Sequence, residues 1–315
     1  MLELFGRRKR VVEGLVGLSV NDSRIALAHI TRQRDELMLE RCVREPVAGF
    51  GAASEQLLRL VTEQGLSGAS CNVVLAPSDY SVYLIESPQV EPDEVNSAVR
   101  WKIKDLLDMP VEDAIIDVFN LPDDAFQGRN KMLYAVAASR PKVEQIIAMV
   151  NRAGLNLQSI DIQEMVMRNI SNHFLDDSNG LAFISLKESG STLNISRKGK
   201  LYLTRRINTR VGADVMSQND WEMVRDRLAL EIQRSLDYFE SQVAQSPAAQ
   251  IMIAPRERDT EAMMNALADA LASPVGMVDF IHELPAREGI SEEAKGAGMM
   301  VIGAALRSDI EVAQS

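Results

Sequence analysis

Alternation of apolar and polar positions dominates the first fifty residues. The runs VVEGLVGLSV (11–20), SRIALAHI (23–30) and ELMLERCVREPV (36–47) are separated by polar tips, which predicts a three-strand meander. Over 53–64, Leu57, Leu58, Leu60 and Val61 gather on one side of a helix. CNVVLAP (71–77) then reads as a buried strand closed by Pro77.

A different rhythm follows. SVYLIES (81–87) predicts a strand, and the segment 91–110 a helix. Glu91, Pro92, Asp93 and Glu94 suit its first turn, Val95, Val99, Ile103 and Leu106 form its apolar face, and Pro110 stops it. Strands AIIDVFNLP (114–122) and KMLYAVAAS (131–139) flank a polar loop, and a helix over 141–155 stops at Gly154. The block 79–160 therefore reads as a small inserted α+β subdomain.

After a helix near 161–174, a second meander begins: LAFISLKESG, STLNISRKGK and LYLTRRINT, joined by a polar tip and a Lys-Gly turn. Its order repeats that of 14–47, which points to internal duplication. The strongest helix is 219–242, where Trp221, Val224, Leu228, Ile232, Leu236 and Phe239 recur every three or four residues as a core stripe. QIMIAP is a buried strand, 259–273 a helix, VGMVDF a strand, and 297–308 an apolar helix suited to pack beneath a sheet.

Composition narrows the reading. With 315 residues, 46% of them hydrophobic, the chain can form a packed core as two domains or one divided domain, and is neither fibrous nor disordered. A formal net charge of −11, with both signs mixed along the sequence, argues against nucleic acid as a partner. Cys42, Cys71 and three histidines offer neither a disulfide framework nor zinc spacing, which fits buried thiols in a reducing compartment. No run approaches the roughly 18–20 apolar residues that span a bilayer. MLELFGRRKR lacks an apolar signal core, so the expected location is cytoplasmic.

Two readings apply to that N-terminus. Arg7, Arg8, Lys9 and Arg10 beside Leu2, Leu4 and Phe5 suit contact with an anionic membrane face at about 1 kcal/mol per charge; a solvated tail is the simpler one. No catalytic or metal set stands out. His29, His173 and His282 lie in unrelated segments without a nucleophile motif, and the pairs Asp176-Asp177 and Glu292-Glu293 read as solvated charge.

Duplicated meander-plus-helix halves, an insertion in the first, and the closing VIGAALR helix together resemble the actin-like ATPase superfamily. EIQRSLDYFESQ (231–242) and KGKLYLTRRI (198–207) resemble the PilM-like proteins of type IV pilus assembly. VRWKIKDLLDMPVEDAIIDVF (99–119) and IDIQEMVMRNI (160–170) resemble the branch of that family serving the mannose-sensitive haemagglutinin (MSHA) pilus. The likeness runs from about 11 to 307. It implies a duplicated α/β, ribonuclease H-like fold. Residues 1–10 would be a basic tail, 11–78 the start of the first half, 79–160 the insertion and 161–315 the second half, with the last helix packing back on the first. It also implies a protein at the cytoplasmic face of the inner membrane that binds the cytoplasmic N-terminal segment of a PilN-like partner, with the assembly ATPase as a further candidate partner. Contact residues are not assigned.

Many such proteins hold ATP between their halves, using glycines that let loop amides face the phosphates and an aspartate that organises Mg²⁺. Set against that pattern, the first tip here carries Ser19, Asn21, Asp22 and Ser23, with Asn21 able to turn left-handed and Asp22 offering a nearby carboxylate. The second tip has Ser185 and Lys187, and Pro255-Arg256 replaces the Gly-Gly of the adenosine side. Three departures at three segments lead to the expectation of a non-catalytic scaffold with no cofactor. The alternatives are an ATP-binding switch or weak ATPase using Asp22, Lys187 and Arg256, and a self-assembling actin-like protein.

Overall fold

The first meander folds as its alternation predicts. In the computed structural model, which describes residues 12–34, 36–126, 130–188, 190–244 and 246–307, the opening strands are β1 (Leu15–Val20), β2 (Arg24–Gln33) and β3 (Glu36–Pro46). The basic tail with Arg7, Arg8, Lys9 and Arg10 lies outside the described residues. Helix α1 (Phe50–Glu63) leads into β4 (Ser70–Val74), which runs parallel to β1.

The next stretch divides. Strand β5 (Tyr80–Glu86), helix α2 (Val95–Ile103) and strands β6 (Ala114–Asn120) and β7 (Met132–Ser139) form a separate antiparallel sheet in the order β5-β7-β6. Helix α3 (Arg140–Arg152) and strand β8 (Asn156–Asp161) leave it. β8 pairs in parallel with β4, and Val143, Ile146, Met149 and Val150 of α3 join Leu57, Leu60 and Val61 of α1 in one core. The block 79–160, grouped as one insertion by its sequence pattern, thus contributes its last helix and strand to the first half. The helix over 91–110 is also shorter than its periodicity implies. Its last turn tightens to 3₁₀ over Lys104–Leu106, which swings Leu106 off the Val99–Ile103 stripe to 53% exposure.

Helix α4 (Gln163–Phe174) connects to the second meander, β9 (Leu181–Ser185), β10 (Ser191–Arg197) and β11 (Lys200–Ile207), whose Lys198-Gly199 turn has positive φ at both residues. Then come α5 (Trp221–Tyr238), β12 (Gln250–Ile253), α6 (Thr260–Ala268), β13 (Val275–Met277) and the short helices α7 (Phe280–Glu283), α8 (Glu292–Ala297) and α9 (Met299–Ala305). The strand orders β3-β2-β1-β4-β8 and β11-β10-β9-β12-β13 are the same topology twice, so the duplication read from the meanders extends to whole sheets.

Each sheet is covered on both faces. Val16, Leu18, Val20, Ile25 and Leu27 face α1 and α3, while Ala28 and Ile30 face a core shared by both halves. That shared core holds Val166, Met167 and Ile170 of α4, Leu181 and Phe183 of β9, and the whole of α9. In the second half, Leu228, Ile232 and Leu236 of α5, and Phe239 in the π-helical turn that follows it, bury against Ala182, Ile184 and Ile195, as the helical stripe predicts.

Candidate functional site

A cleft of about 710 Å³ separates the halves, and the topology brings both meander tips to it. Ser19, Asn21 and Ser23 line one wall; Lys187, Pro255 and Arg256 line the other. Two of the sequence candidates are not among the lining residues. Asp22 is exposed beyond the cleft, and Ser185 is buried with an Oγ that has no hydrogen-bond partner among the described residues.

Several backbone donors at the tips are already engaged. Asn21 keeps negative φ, not the left-handed turn its residue type permits, and makes an Asx turn instead: its Oδ1 accepts from the Ser23 amide at 3.0 Å and from the Ser23 hydroxyl. The Asn21 amide donates to the Arg24 carbonyl at 3.0 Å. At the second tip, the Lys187 amide donates to Ser191 Oγ at 3.0 Å and the Gly190 amide to the Lys187 carbonyl. At the third segment, the Arg256 amide donates to Thr260 Oγ1 at 2.9 Å. Each segment thus uses at least one of its amides internally.

The cationic side chains differ in what they hold. Arg256 donates to the carbonyls of Gly212 (2.7 Å) and Leu186 (3.4 Å), so its guanidinium ties two loops of the second half. Arg44, on β3, pairs across the cleft with Glu257 at 2.7 Å. Lys187 is half-buried with no ion pair among the described residues, and burial together with the adjacent Arg44 charge pulls its ammonium down to about 8. Among the described residues no cluster of three or more His, Cys, Asp or Glu side chains is placed to hold a metal ion.

Behind the cleft, one polar knot joins four elements, β5, α4, β10 and β11. The Tyr80 hydroxyl donates to Glu164 Oε2 at 2.6 Å, and the Gln163 amide donates to that hydroxyl. Arg206, from β11, donates to the carbonyls of Pro77 and Tyr80 and stacks over the Tyr80 ring. Asn194 donates to the Glu164 carbonyl. Burial raises the Glu164 carboxyl above its ordinary range, opposed by the Tyr80 hydrogen bond.

A seam along β3 also joins the halves. The Leu39 amide donates to Pro285, Arg287 donates its amide back to Leu39, Arg287 pairs with Glu40 at 2.6 Å, and Cys42 Sγ donates to the Ala294 carbonyl. No motif in the sequence marks Arg44, Glu257, Glu164 or Arg206 as partners. Arg44 and Glu257 stand 213 positions apart and belong to no motif.

The sequence matches no protein-family model and no curated protein. Solved structures do match. A chain of the "PilM-PilN type IV pilus biogenesis complex" superposes with a TM-score of 0.72 at 17% identity, over 94% of this chain and 98% of that one. The cytoplasmic domain of EpsL, an inner membrane component of the type II secretion system of Vibrio cholerae, gives 0.52 at 10% identity, over 94% and 96%. A Bacteroides thetaiotaomicron protein with an actin-like ATPase fold and unknown function gives 0.53 at 10% identity, over 90% and 96%. With two sheets of identical order, a cleft at their tips and these neighbours, the chain has the actin-like ATPase fold.

Proposed function

We propose that this protein is a non-catalytic scaffold of a type IV pilus assembly machine of the MSHA type. It docks the cytoplasmic N-terminal segment of a PilN-like inner-membrane protein, and so sits at the cytoplasmic face of the inner membrane. The observation that carries the scaffold reading is the internal use of the tip amides at Asn21, Ser23, Lys187, Gly190 and Arg256. Phosphate cradles in this fold need such amides free and a carboxylate for the metal. Asp22, the candidate carboxylate, is not among the cleft-lining residues, so these side chains fit Mg-ATP poorly. The hydrogen bonds and ion pair of the β3 seam, with the Tyr80 knot, tie the halves to each other directly, which supports a body whose shape does not depend on a nucleotide. The likeness to a chain of the PilM-PilN complex supports the partner.

Calorimetry of the purified protein against synthetic N-terminal segments of PilN-like proteins tests the docking. The expected result is binding of equal strength with and without Mg-ATP; failure to bind any such segment removes the reading. One observation favours an ATP-binding switch, namely a cleft large enough to admit a nucleotide. A rise in melting temperature with millimolar Mg-ATP, beside a nucleotide-binding relative as control, would establish that alternative by linkage. No rise is expected.

A further inference from the structure

We propose that Lys187 and Arg44 form an oxyanion site in the cleft, which takes a phosphoryl or carboxylate group without magnesium. This rests on the reading above that the cleft does not hold Mg-ATP.

The chain carries a formal charge of −11, yet the cleft wall reverses that sign. Arg24, Arg44, Lys187 and Arg256 face it, against Glu188 and Glu257. Within this set the donors are unequal. Arg256 gives both terminal nitrogens to carbonyls, although its buried Nε has no partner among the described residues. Arg44 gives one terminal nitrogen to Glu257, and the rest of its fork of five N–H donors has no partner among the described residues. Lys187 has no carboxylate within salt-bridge distance and no hydrogen bond from Nζ among the described residues, although it is half-buried. An ammonium taken partly out of water beside another cation is costly unless an anion joins it.

The electrostatics agree with the geometry. Burial lowers the Lys187 ammonium most, Arg44 lowers it further and Glu257 offsets this only in part, so the pair is short of negative charge. Lys187 also lines a second groove of about 230 Å³ beside Arg206 and Arg210, where Glu188 is the carboxylate. Lys187 thus borders two cavities, each lined by further cationic residues. A lysine placed only to be solvated would lie in open water, and one placed only for structure would have a carboxylate or carbonyl partner. This one has a cavity and a neighbouring guanidinium.

Full-length protein in EDTA, titrated with inorganic pyrophosphate and separately with citrate in calorimetry and thermal melts, tests the site. A saturable rise in melting temperature with either probe is expected, and the responding probe identifies phosphoryl or carboxylate as the preferred group. Loss of one charge-assisted hydrogen bond predicts about tenfold or more weaker binding in Lys187→Met. Lys187→Arg should bind nearly as the parent does and keep binding above pH 9, where the lysine site weakens. Circular dichroism confirms that both variants fold. Equal binding by Lys187→Met overturns the site. Silence with both probes and with Mg-ATP overturns this inference alone. Silence with both probes but a response to Mg-ATP overturns it together with the nucleotide-independent scaffold.

Discussion

Gly17 and Val301 meet backbone to backbone: a methyl group at position 17 would sit 1.8 Å from the Val301 carbonyl oxygen and 2.8 Å from the Ala305 amide nitrogen. The other side of α9 is equally tight, since a methyl at Gly303 would lie 2.7 Å from Val166 Cγ1. Helix α9 is therefore clamped between β1 and α4, with a missing side chain on each contact. Gly17→Ala must move backbone, so its cost should reach the upper end of overpacking penalties, about 3 kcal/mol or more, read as a lower denaturant midpoint at unchanged slope.

The Tyr80–Glu164 hydrogen bond predicts a pH-dependent cost. Burial raises the folded-state carboxyl of Glu164, so the native state holds its proton in a window above the unfolded value near 4.5, and stability falls as pH rises through that window. Tyr80→Phe removes the largest opposing influence and widens the window. The variant should lose about 1–3 kcal/mol at pH 7. Denaturant titrations at pH 5 should show a smaller gap between variant and parent than at pH 7.

Lys187 predicts a dependence of the opposite sense. Its folded value of about 8 lies below the 10.5 of a free lysine, so the unfolded chain binds more protons between these limits and stability rises with pH there. Lys187→Met, free of this penalty, should be more stable than the parent at pH 7 without added anion. Melts from pH 7 to 10 should show that advantage shrinking as the lysine neutralises.

At the β3 seam, Glu40 is held below the usual carboxylate range chiefly by its hydrogen bond with Arg287. Such a contribution is present above the unfolded value and is lost as pH falls through the folded one. Arg287 is 61% exposed, so Glu40→Gln should cost no more than about 1 kcal/mol at neutral pH. Hydrogen exchange at the Leu39 and Arg287 amides should speed up in the variant, while α5 is unchanged.

Much of the fold was legible because its signals are local. Period-two alternation and polar tips marked both meanders, and the stripe from Leu228 to Phe239 marked α5. The actin-like reading, drawn from the order of these pieces, agrees with the sheet orders and the neighbours. Boundaries that depend on tertiary pairing were not legible. Nothing local distinguishes β8, which joins β4, from the strands of the small sheet before it, and Leu106 keeps helical spacing although its turn tightens. For the site, residue types flagged Lys187 and Arg256, but hydrogen-bond commitments decide what those residues can do. Arg256 spends its guanidinium on Gly212 and Leu186, contacts that arise only once the loops are folded together.

The placement of α9 also constrains how the chain is made. Its N-terminal sheet is finished when β8 emerges, yet the helix that covers the Gly17 face is encoded more than a hundred residues later. At roughly 5–20 residues per second, synthesis delivers that cover on the order of ten seconds afterwards. Until then the side of β1 and β2 that carries Ala28 and Ile30 lacks the helix that covers it in the folded protein. The order of synthesis thus leaves the Gly17 face of the first half waiting for a helix encoded in the second.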